Sequence, residues 1–408
     1  MNESFFYRGG TLWCEGVPLD AIAESVGTPV YVYSVARVLR NIRKLQTAFG
    51  PLGASIHYSL KANANLALLG VINEAGVGVD AVSGAEIARA RLAGIPPSRI
   101  VFAGVGKTRA ELEYALDVGI GWINVESQAE MALLETLAAD RRQIMTVALR
   151  LNPGVQPATH RHIATGHAGA KFGIEPGALA DILEHREAYP HLFIAGIHVH
   201  IGSQLMRIDA TLDAVRLAQQ LADPHSDVRT LNIGGGFPVR YGGNENVPEP
   251  GEFAEALKPV LDGWHIMIEP GRAIVADAGL LLASVLYVKE QYERRFVIID
   301  ASMTELLRPA LYGAEHPIIP VREPVDEMVP AMVVGPVCES TDVLSASALL
   351  PPLGAGDRVA VLDVGAYGMV MASNYNMRLR PPEVLVEGRQ WRVVRRRETL
   401  DDLLRLEQ

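Results

Sequence analysis

Lys61 closes the run Ser55–Lys61, followed directly by Ala62 and Asn63. A lysine at a strand end is, by itself, more often a solvated rim residue than a reactive one. Aimed into a barrel mouth, it loses solvent, its pKa falls and its amine becomes a nucleophile. Gly234, Gly235 and Gly236 follow the run Thr230–Ile233. Three glycines either make a tight turn or let main-chain N–H groups approach an anion with no Cβ between. Glu269 follows the run Trp264–Ile268 and opens Glu269-Pro270-Gly271-Arg272. A carboxylate at the end of a buried strand is costly unless paired. It is either an arginine's ion-pair partner or the group that keeps a proton on a pyridine nitrogen. Arg272 brings charge for a phosphate or a substrate carboxylate.

His198 and His200 sit two residues apart on one strand face, an arrangement that invites a metal. No further histidine or aspartate array at later strand ends completes such a site, so no metal is expected. One of the two histidines lying flat on a cofactor ring, with Ser203 nearby for phosphate, fits better. Phe102–Thr108 contains Gly106-Lys107-Thr108, a fragment of a nucleotide-binding loop, but Val101 stands where the first glycine is required. Cys338, within Gly335–Asp342, is either a small buried hydrophobe or a thiol on an exposed loop beside Glu339. Arg308 and Tyr312 are compatible with surface positions, and Tyr367 with the core. An amine at a strand end, an anion loop and a buried carboxylate are the three groups that a Schiff base to pyridoxal phosphate requires.

These residues need a frame. Eight short apolar runs recur between residues 55 and 268: Ser55–Lys61, Gly76–Ala81, Arg99–Ala103, Gly121–Val125, Ile144–Leu151, Phe193–His200, Thr230–Ile233 and Trp264–Ile268. Amphipathic helical stretches such as Ala85–Ala93, Arg109–Leu116 and Ala129–Ala139 separate them. Strands alternating with helices imply a parallel sheet, and eight repeats imply a (β/α)8 barrel, here over residues 36–275. Such barrels build their sites from the loops after the strands, where every one of these runs ends in polar or glycine-rich residues. From 276 to 408 the pattern changes to strands without long helices: Leu280–Val288, Arg295–Asp300, Met328–Val334, Arg358–Val364 and Glu383–Val386. This predicts an α/β chain with a C-terminal β-rich domain. Strands within residues 1–35, Leu12–Cys14 and Pro29–Tyr33, either join that domain or cap the barrel bottom.

At 408 residues the chain exceeds what one core usually supports, consistent with two domains. Its net charge of −10 argues against a nucleic-acid or anionic-membrane partner. Arg392–Arg397 is locally basic and reads as a solvated strand face. Two distant cysteines give neither a disulfide framework nor a zinc site. The N-terminus lacks the basic start and apolar run of a signal peptide, and no stretch reaches the length of a membrane span, so a cytoplasmic enzyme is expected.

Taken together, the motifs resemble the fold-type III pyridoxal-phosphate-dependent decarboxylases, the alanine-racemase-like barrel group, and within it the diaminopimelate decarboxylases. The resemblance extends from Pro29–Tyr33 to Arg380–Val386 and rests on many motifs in one order: Tyr58–Asn63, Lys171-Phe172-Gly173, His198–Gln204, Gly234–Gly236, Glu269–Arg272, Arg308–Tyr312, Cys338–Ser340 and Gly365–Tyr367. It implies that Lys61 forms the Schiff base with pyridoxal 5'-phosphate, that His200 stacks on the ring and that Glu269 pairs with its nitrogen. It implies that Ser203, Gly234, Gly235, Gly236 and Tyr367 hold the phosphate, with Arg272 close by and Asp80 and Arg150 in support. Arg272, Arg308 and Tyr312 would grip the distal carboxylate of the substrate, with Tyr367 also near it, and Glu339 the distal ammonium. Cys338 would protonate the carbanion, delivered from the second subunit of a homodimer.

The implied reaction converts meso-2,6-diaminopimelate, at its D-configured centre, to L-lysine and carbon dioxide, the last step of lysine biosynthesis. Two arginines and a tyrosine facing a distal carboxylate would be poorly satisfied by ornithine or lysine, which lack it. Thr341 and Glu315 depart from the family's usual glycine and aromatic residue, and both flank the distal pocket. The alternative is a related decarboxylase acting on another amino acid. A racemase gives the distal set no role, and a non-catalytic relative would be expected to have lost Lys61 or Cys338.

Overall fold

The computed structural model describes residues 1–155, 165–167, 169–242 and 246–407. All eight apolar runs form parallel strands of one closed barrel: Ser55–Ser59, Gly78–Ala81, Ile100–Phe102, Trp122–Val125, Met145–Leu151, Leu192–Val199, Thr230–Asn232 and His265–Ile268. The last closes on the first through Met267 opposite Ser55 and Ile268 opposite Ile56. Branched and aromatic residues such as Ile56, Tyr58, Val79, Ile123, Val147 and Ile197 alternate along these strands and are buried, which is why the short runs were legible.

The loops after the first four strands carry less chemistry than their composition suggests. Asn65, Ser83, Thr108 and Ser127 are the N-caps of the helices Leu66–Glu74, Gly84–Leu92, Arg109–Val118 and Gln128–Arg141, each accepting a main-chain N–H of the first turn. Thr108 and Glu111 form a reciprocal capping box. Lys107, the lysine of the broken nucleotide-loop motif, is buried in a salt bridge with Glu130 at 2.6 Å. Part of what looked like reactive polarity is therefore helix termination.

The chain divides into two compact units, residues 42–239 with 246–273, and residues 1–41 with 240–245 and 274–408. The first contains the whole barrel. The second is built on a nine-stranded sheet in the order Val343–Leu350, Val329–Val334, Arg294–Ile299, Gly279–Gln291, Val30–Ser34, Glu383–Glu387, Gln390–Arg395. Arg358–Val361 pairs with Gly279–Gln291 and with Ile318–Pro320. Val30–Ser34 is central, antiparallel to Gly279–Gln291 and parallel to Glu383–Glu387. The other N-terminal strands, Phe5–Arg8, Thr11–Cys14 and Val17–Pro18, make a separate three-stranded sheet.

The two N-terminal segments read as strands thus end in different sheets. Leu12, Cys14 and Val17 nevertheless share one core with Val30, Val32, Leu280, Leu282, Val384 and Val386, every second residue of the central strands. Tyr31 and Tyr33 point to the opposite face, where their hydroxyls donate to Glu305 O at 2.7 Å and Glu383 Oε1 at 2.8 Å. Ile318–Pro320 and Val343–Leu350 escaped the sequence reading. The first is three residues long and proline-flanked, and the second interleaves alanines and serines that carry little β signal.

Candidate active site

Glu269 lies just beyond the last barrel strand and is 5% exposed. Three side chains converge on its carboxylate. Asn124 Nδ2 donates to Oε1 at 3.1 Å, Asn232 Nδ2 donates to the same oxygen at 2.6 Å, and His198 Nε2 lies 3.2 Å from Oε2. Burial alone would raise the pKa of Glu269. The contact with His198 and the hydrogen bond from Asn232 outweigh it and hold the carboxyl well below the usual carboxylate range.

Asp80, on the second strand, is the counterpart. Its Oδ2 accepts from Ser59 Oγ at 2.9 Å, while Oδ1 finds no hydrogen-bond partner among the described residues. Burial first, then the charge of Glu269, push the Asp80 carboxyl well above its ordinary range, against the pull of Lys61 and Ser59. The two buried acids are thus driven apart, the Glu269 carboxyl held down and the Asp80 carboxyl pushed up.

Lys61 occupies the helical turn Leu60–Ala62 after the first strand, and its charge acts on Asp80, Glu86 and His200. Lys61 is exposed in the single chain. What marks it is the acidic company rather than burial. A Cβ on Gly271 would lie 3.0 Å from the Cβ of Ala62, so the Glu269–Arg272 turn presses directly on the lysine's turn.

The glycine loop is crowded in its own right. Gly234 and Gly236 have φ of +67° and +98°, and a Cβ on them would lie 2.7 Å from His200 Nδ1 and 2.6 Å from Leu205 Cδ1. Gly235 N–H donates to His200 Nδ1 at 3.1 Å, so that nitrogen is the acceptor and Nε2 carries the proton. Enclosure and the charges of Lys61 and Arg150 push the His200 imidazole well below its ordinary pKa, which keeps it neutral. Gly234 N–H is taken by Asn232 Oδ1 at 3.0 Å. Arg272, buried, donates from Nη2 to Ser203 Oγ at 3.1 Å. Arg150 pairs with Glu126, whose other oxygen accepts Gly173 N–H at 2.9 Å, and the guanidinium lies 4.7 Å from the Phe172 ring centre. That pairing fixes the Lys171-Phe172-Gly173 segment.

The remaining candidates belong to the second unit. Arg308 opens the helix Arg308–Tyr312 and is buried. Its Nε donates to His316 Nε2 at 3.3 Å, and its guanidinium lies 4.9 Å from the Tyr241 ring centre. His316 Nδ1 then donates to Leu362 O at 3.0 Å. Tyr312 and Tyr367 are half-buried, and Tyr367 has a positive φ of 56°. Cys338 and Glu339 are exposed. Cys338 N–H donates to Asn376 Oδ1 at 3.0 Å and Glu339 Oε1 accepts from Tyr375 Oη at 2.5 Å. Beneath this loop Asp342 is buried, with Oδ1 accepting Met303 N–H at 2.7 Å and Oδ2 accepting Val337 N–H at 2.8 Å.

The barrel therefore gathers Lys61, Asp80, His200, Ser203, the three glycines, Glu269 and Arg272 through a continuous chain of contacts. Arg308, Tyr312, Cys338, Glu339 and Tyr367 are placed in the other unit. Sequence reasoning missed Asn124, Asn232, Tyr241, His316, Tyr375 and Asn376. For the two asparagines a signal existed: a polar amide inside an otherwise apolar buried strand needs a partner.

Comparison with known proteins matches this arrangement. The family model for the pyridoxal-dependent decarboxylase, pyridoxal binding domain, covers residues 35–276. Diaminopimelate decarboxylase of Aquifex aeolicus is 41% identical over 98% of this chain and 96% of its own. The chain belongs to the diaminopimelate decarboxylase family. Two solved structures of that family, each determined with L-lysine, superimpose on it. The Helicobacter pylori protein has a TM-score of 0.91 at 39% identity, covering 95% of this chain and 99% of its own. The protein from M. jannaschii has a TM-score of 0.94 at 33% identity, covering 100% and 98%. The residues matched by the pyridoxal-binding model include all eight barrel strands and the Lys61–Asp80–Glu269 group.

Proposed function

We propose that this chain removes carbon dioxide from the D-configured centre of meso-2,6-diaminopimelate to give L-lysine, as a carboxy-lyase dependent on pyridoxal 5'-phosphate and closing the lysine pathway in the cytoplasm. The observation that carries the reading is the buried, ionised Glu269 in the same barrel mouth as Lys61. A decarboxylase of this kind needs both an amine for the cofactor and an anion that holds a proton on its ring nitrogen.

The residues fit the cofactor on their own chemistry. Asp80 has an orphaned buried oxygen beside Lys61, and Glu269 stays charged despite burial. Lys61 provides the tethering amine, and Glu269 holds a proton at the pyridine nitrogen. His200, neutral and fixed by Gly235, offers its ring face. Ser203, Tyr367 and the loop Gly234, Gly235 and Gly236 hold the phosphate, the loop by lacking Cβ atoms rather than through the Gly234 and Gly235 N–H groups, which already donate to Asn232 and His200, and Arg272 adds charge. When bound, pyridoxal phosphate supplies an aldehyde and a protonated ring that accepts the electron pair left by departing carbon dioxide.

Arg272, Arg308 and Tyr312 bind the distal carboxylate and Glu339 the distal ammonium. A guanidinium presents paired donors that match a carboxylate, which is why a substrate without that group is disfavoured. Cys338 gives a proton to the carbon that has lost its carboxylate, so each turnover exchanges CO2 for H+ at one carbon. Cys338 and Glu339 serve the barrel of the partner chain in a homodimer.

The test is a product assay on meso-diaminopimelate, ornithine, arginine and lysine with added pyridoxal phosphate. Lysine and carbon dioxide should form from diaminopimelate alone. Faster release of carbon dioxide from any of the other three would replace the substrate assignment while leaving the cofactor chemistry in place.

A further inference from the structure

Each asparagine that touches Glu269 has its amide orientation fixed from behind. Asn232 Oδ1 accepts Gly234 N–H at 3.0 Å, and Asn124 Oδ1 accepts the indole Nε1–H of Trp122 at 2.9 Å. An oxygen held by a donor leaves the NH2 on the other side, so both residues present donors, not acceptors, to the carboxylate. Asn124 is secured once more through its main chain. Lys107 Nζ donates to Asn124 O at 2.7 Å, to Gly104 O at 3.0 Å and to Glu130 Oε1 at 2.6 Å, and is itself buried. Both asparagines are fully buried, and His198 Nε2 completes the ring around the carboxylate.

We propose that Asn124 and Asn232, oriented by Trp122 and by the glycine loop, are positioning residues that keep Glu269 charged and aimed for the reaction. Asn232 also ties two jobs together, because one amide spans the glycine loop and the carboxylate. The proposal rests on the decarboxylase reading for its catalytic meaning, but its physical core is a property of the chain alone. A buried carboxylate without these donors takes up a proton, and a neutral carboxyl cannot keep a proton on a ring nitrogen.

The conservative probe is Asn232→Asp, with Asn124→Asp as a second variant. Each keeps the side-chain size and the oxygen that accepts from Gly234 or Trp122, and turns only the donor into a like charge. In the cofactor-free protein, the infrared difference between each Asn→Asp variant and its Glu269→Gln partner should contain a protonated carboxyl band absent from the corresponding wild-type difference. Thermal stability should fall, and in the Glu269→Gln background the same Asn→Asp change should cost little, since Asp and Gln simply exchange the charge. In the loaded enzyme, kcat should drop by about a hundredfold with KM little changed, on the scale seen for loss of one oriented donor.

An Asn232→Asp that destabilises equally with and without Glu269→Gln overturns the proposal, as does an unchanged carboxyl band in both variants. Failure of the decarboxylase reading looks different. Wild-type protein would then make no lysine, while the charge exchange would still be seen in the cofactor-free chain.

Discussion

Glu269 and Glu339 are both carboxylates assigned to hold a cation, yet they are built in opposite ways. Glu269 is buried, and both its oxygens are engaged, by two oriented amides and an imidazole. Glu339 is exposed and takes a single phenolic hydroxyl from Tyr375. The barrel fixes its acid by surrounding it. The Cys338–Glu339 loop is instead shaped from beneath, by Asp342 gripping two main-chain amides, and leaves the side chains of Cys338 and Glu339 exposed. A charge that must not titrate calls for the first design. Groups that must meet a ligand, and in the proposed dimer another chain's barrel, call for the second.

The largest expected effect tests whether the two regions work in one site. Lys61→Ala and Cys338→Ala chains should each be inactive alone, Lys61→Ala completely so. Mixed and allowed to exchange, they form dimers with one doubly damaged and one intact site, and activity should return to about a quarter of wild type. Confirmed exchange without recovered lysine formation would mean either that Cys338 acts within its own chain or that the interface is not the one proposed.

The next test separates the two buried acids by pH. A carboxyl raised on folding, like Asp80, holds its proton in the native state where the unfolded chain has released it. Its contribution is full below the ordinary carboxylate range and is lost as pH rises through the folded value. Glu269, Glu86 and Lys61 are the charges acting on it. Asp80→Asn should therefore flatten the loss of stability of the cofactor-free protein as pH rises above the ordinary carboxylate range. Denaturant titrations at several pH values measure it, and parallel curves for variant and wild type would show Asp80 to be ionised.

A smaller effect is expected beneath the loop. Asp342→Ala leaves the N–H groups of Met303 and Val337 without their acceptor, which should cost about 1–3 kcal/mol in chemical unfolding. The absorbance of cofactor bound by the barrel should not change. The smallest effect belongs to Tyr375→Phe, which removes one exposed hydrogen bond to Glu339. KM for diaminopimelate should rise a few-fold, by roughly the factor that one modest hydrogen bond controls, with kcat kept. A fall in kcat with unchanged KM would place Tyr375 with the proton donor Cys338 instead.

Periodicity made the barrel legible. Eight apolar runs separated by amphipathic helices have one economical closure, and each strand appears within two residues of its run. The loops were harder to read, because Ser83, Thr108 and Ser127 have the composition of a site but do the work of helix caps. Asn124 and Asn232 showed the converse failure. Their polarity within an apolar strand asks for a partner but does not name it, because Glu269 is distant in sequence and adjacent only once the barrel closes. Arg308 was legible as a charge, but its buried bracing by His316 and Tyr241 was not, because ring contacts leave no spacing in the chain.

The strand Val30–Ser34 has a consequence for how the protein is made. It is synthesised before the barrel, yet both its neighbours, Gly279–Gln291 and Glu383–Glu387, are encoded after the entire barrel. During synthesis the barrel strands can close while this apolar strand still waits with two open edges, the state in which β segments pair with the wrong chain. Translation speed and chaperone capacity should therefore govern the yield of folded protein more than the stability of the finished molecule does. Expression at lower temperature should raise the soluble fraction without altering the melting temperature of what is recovered.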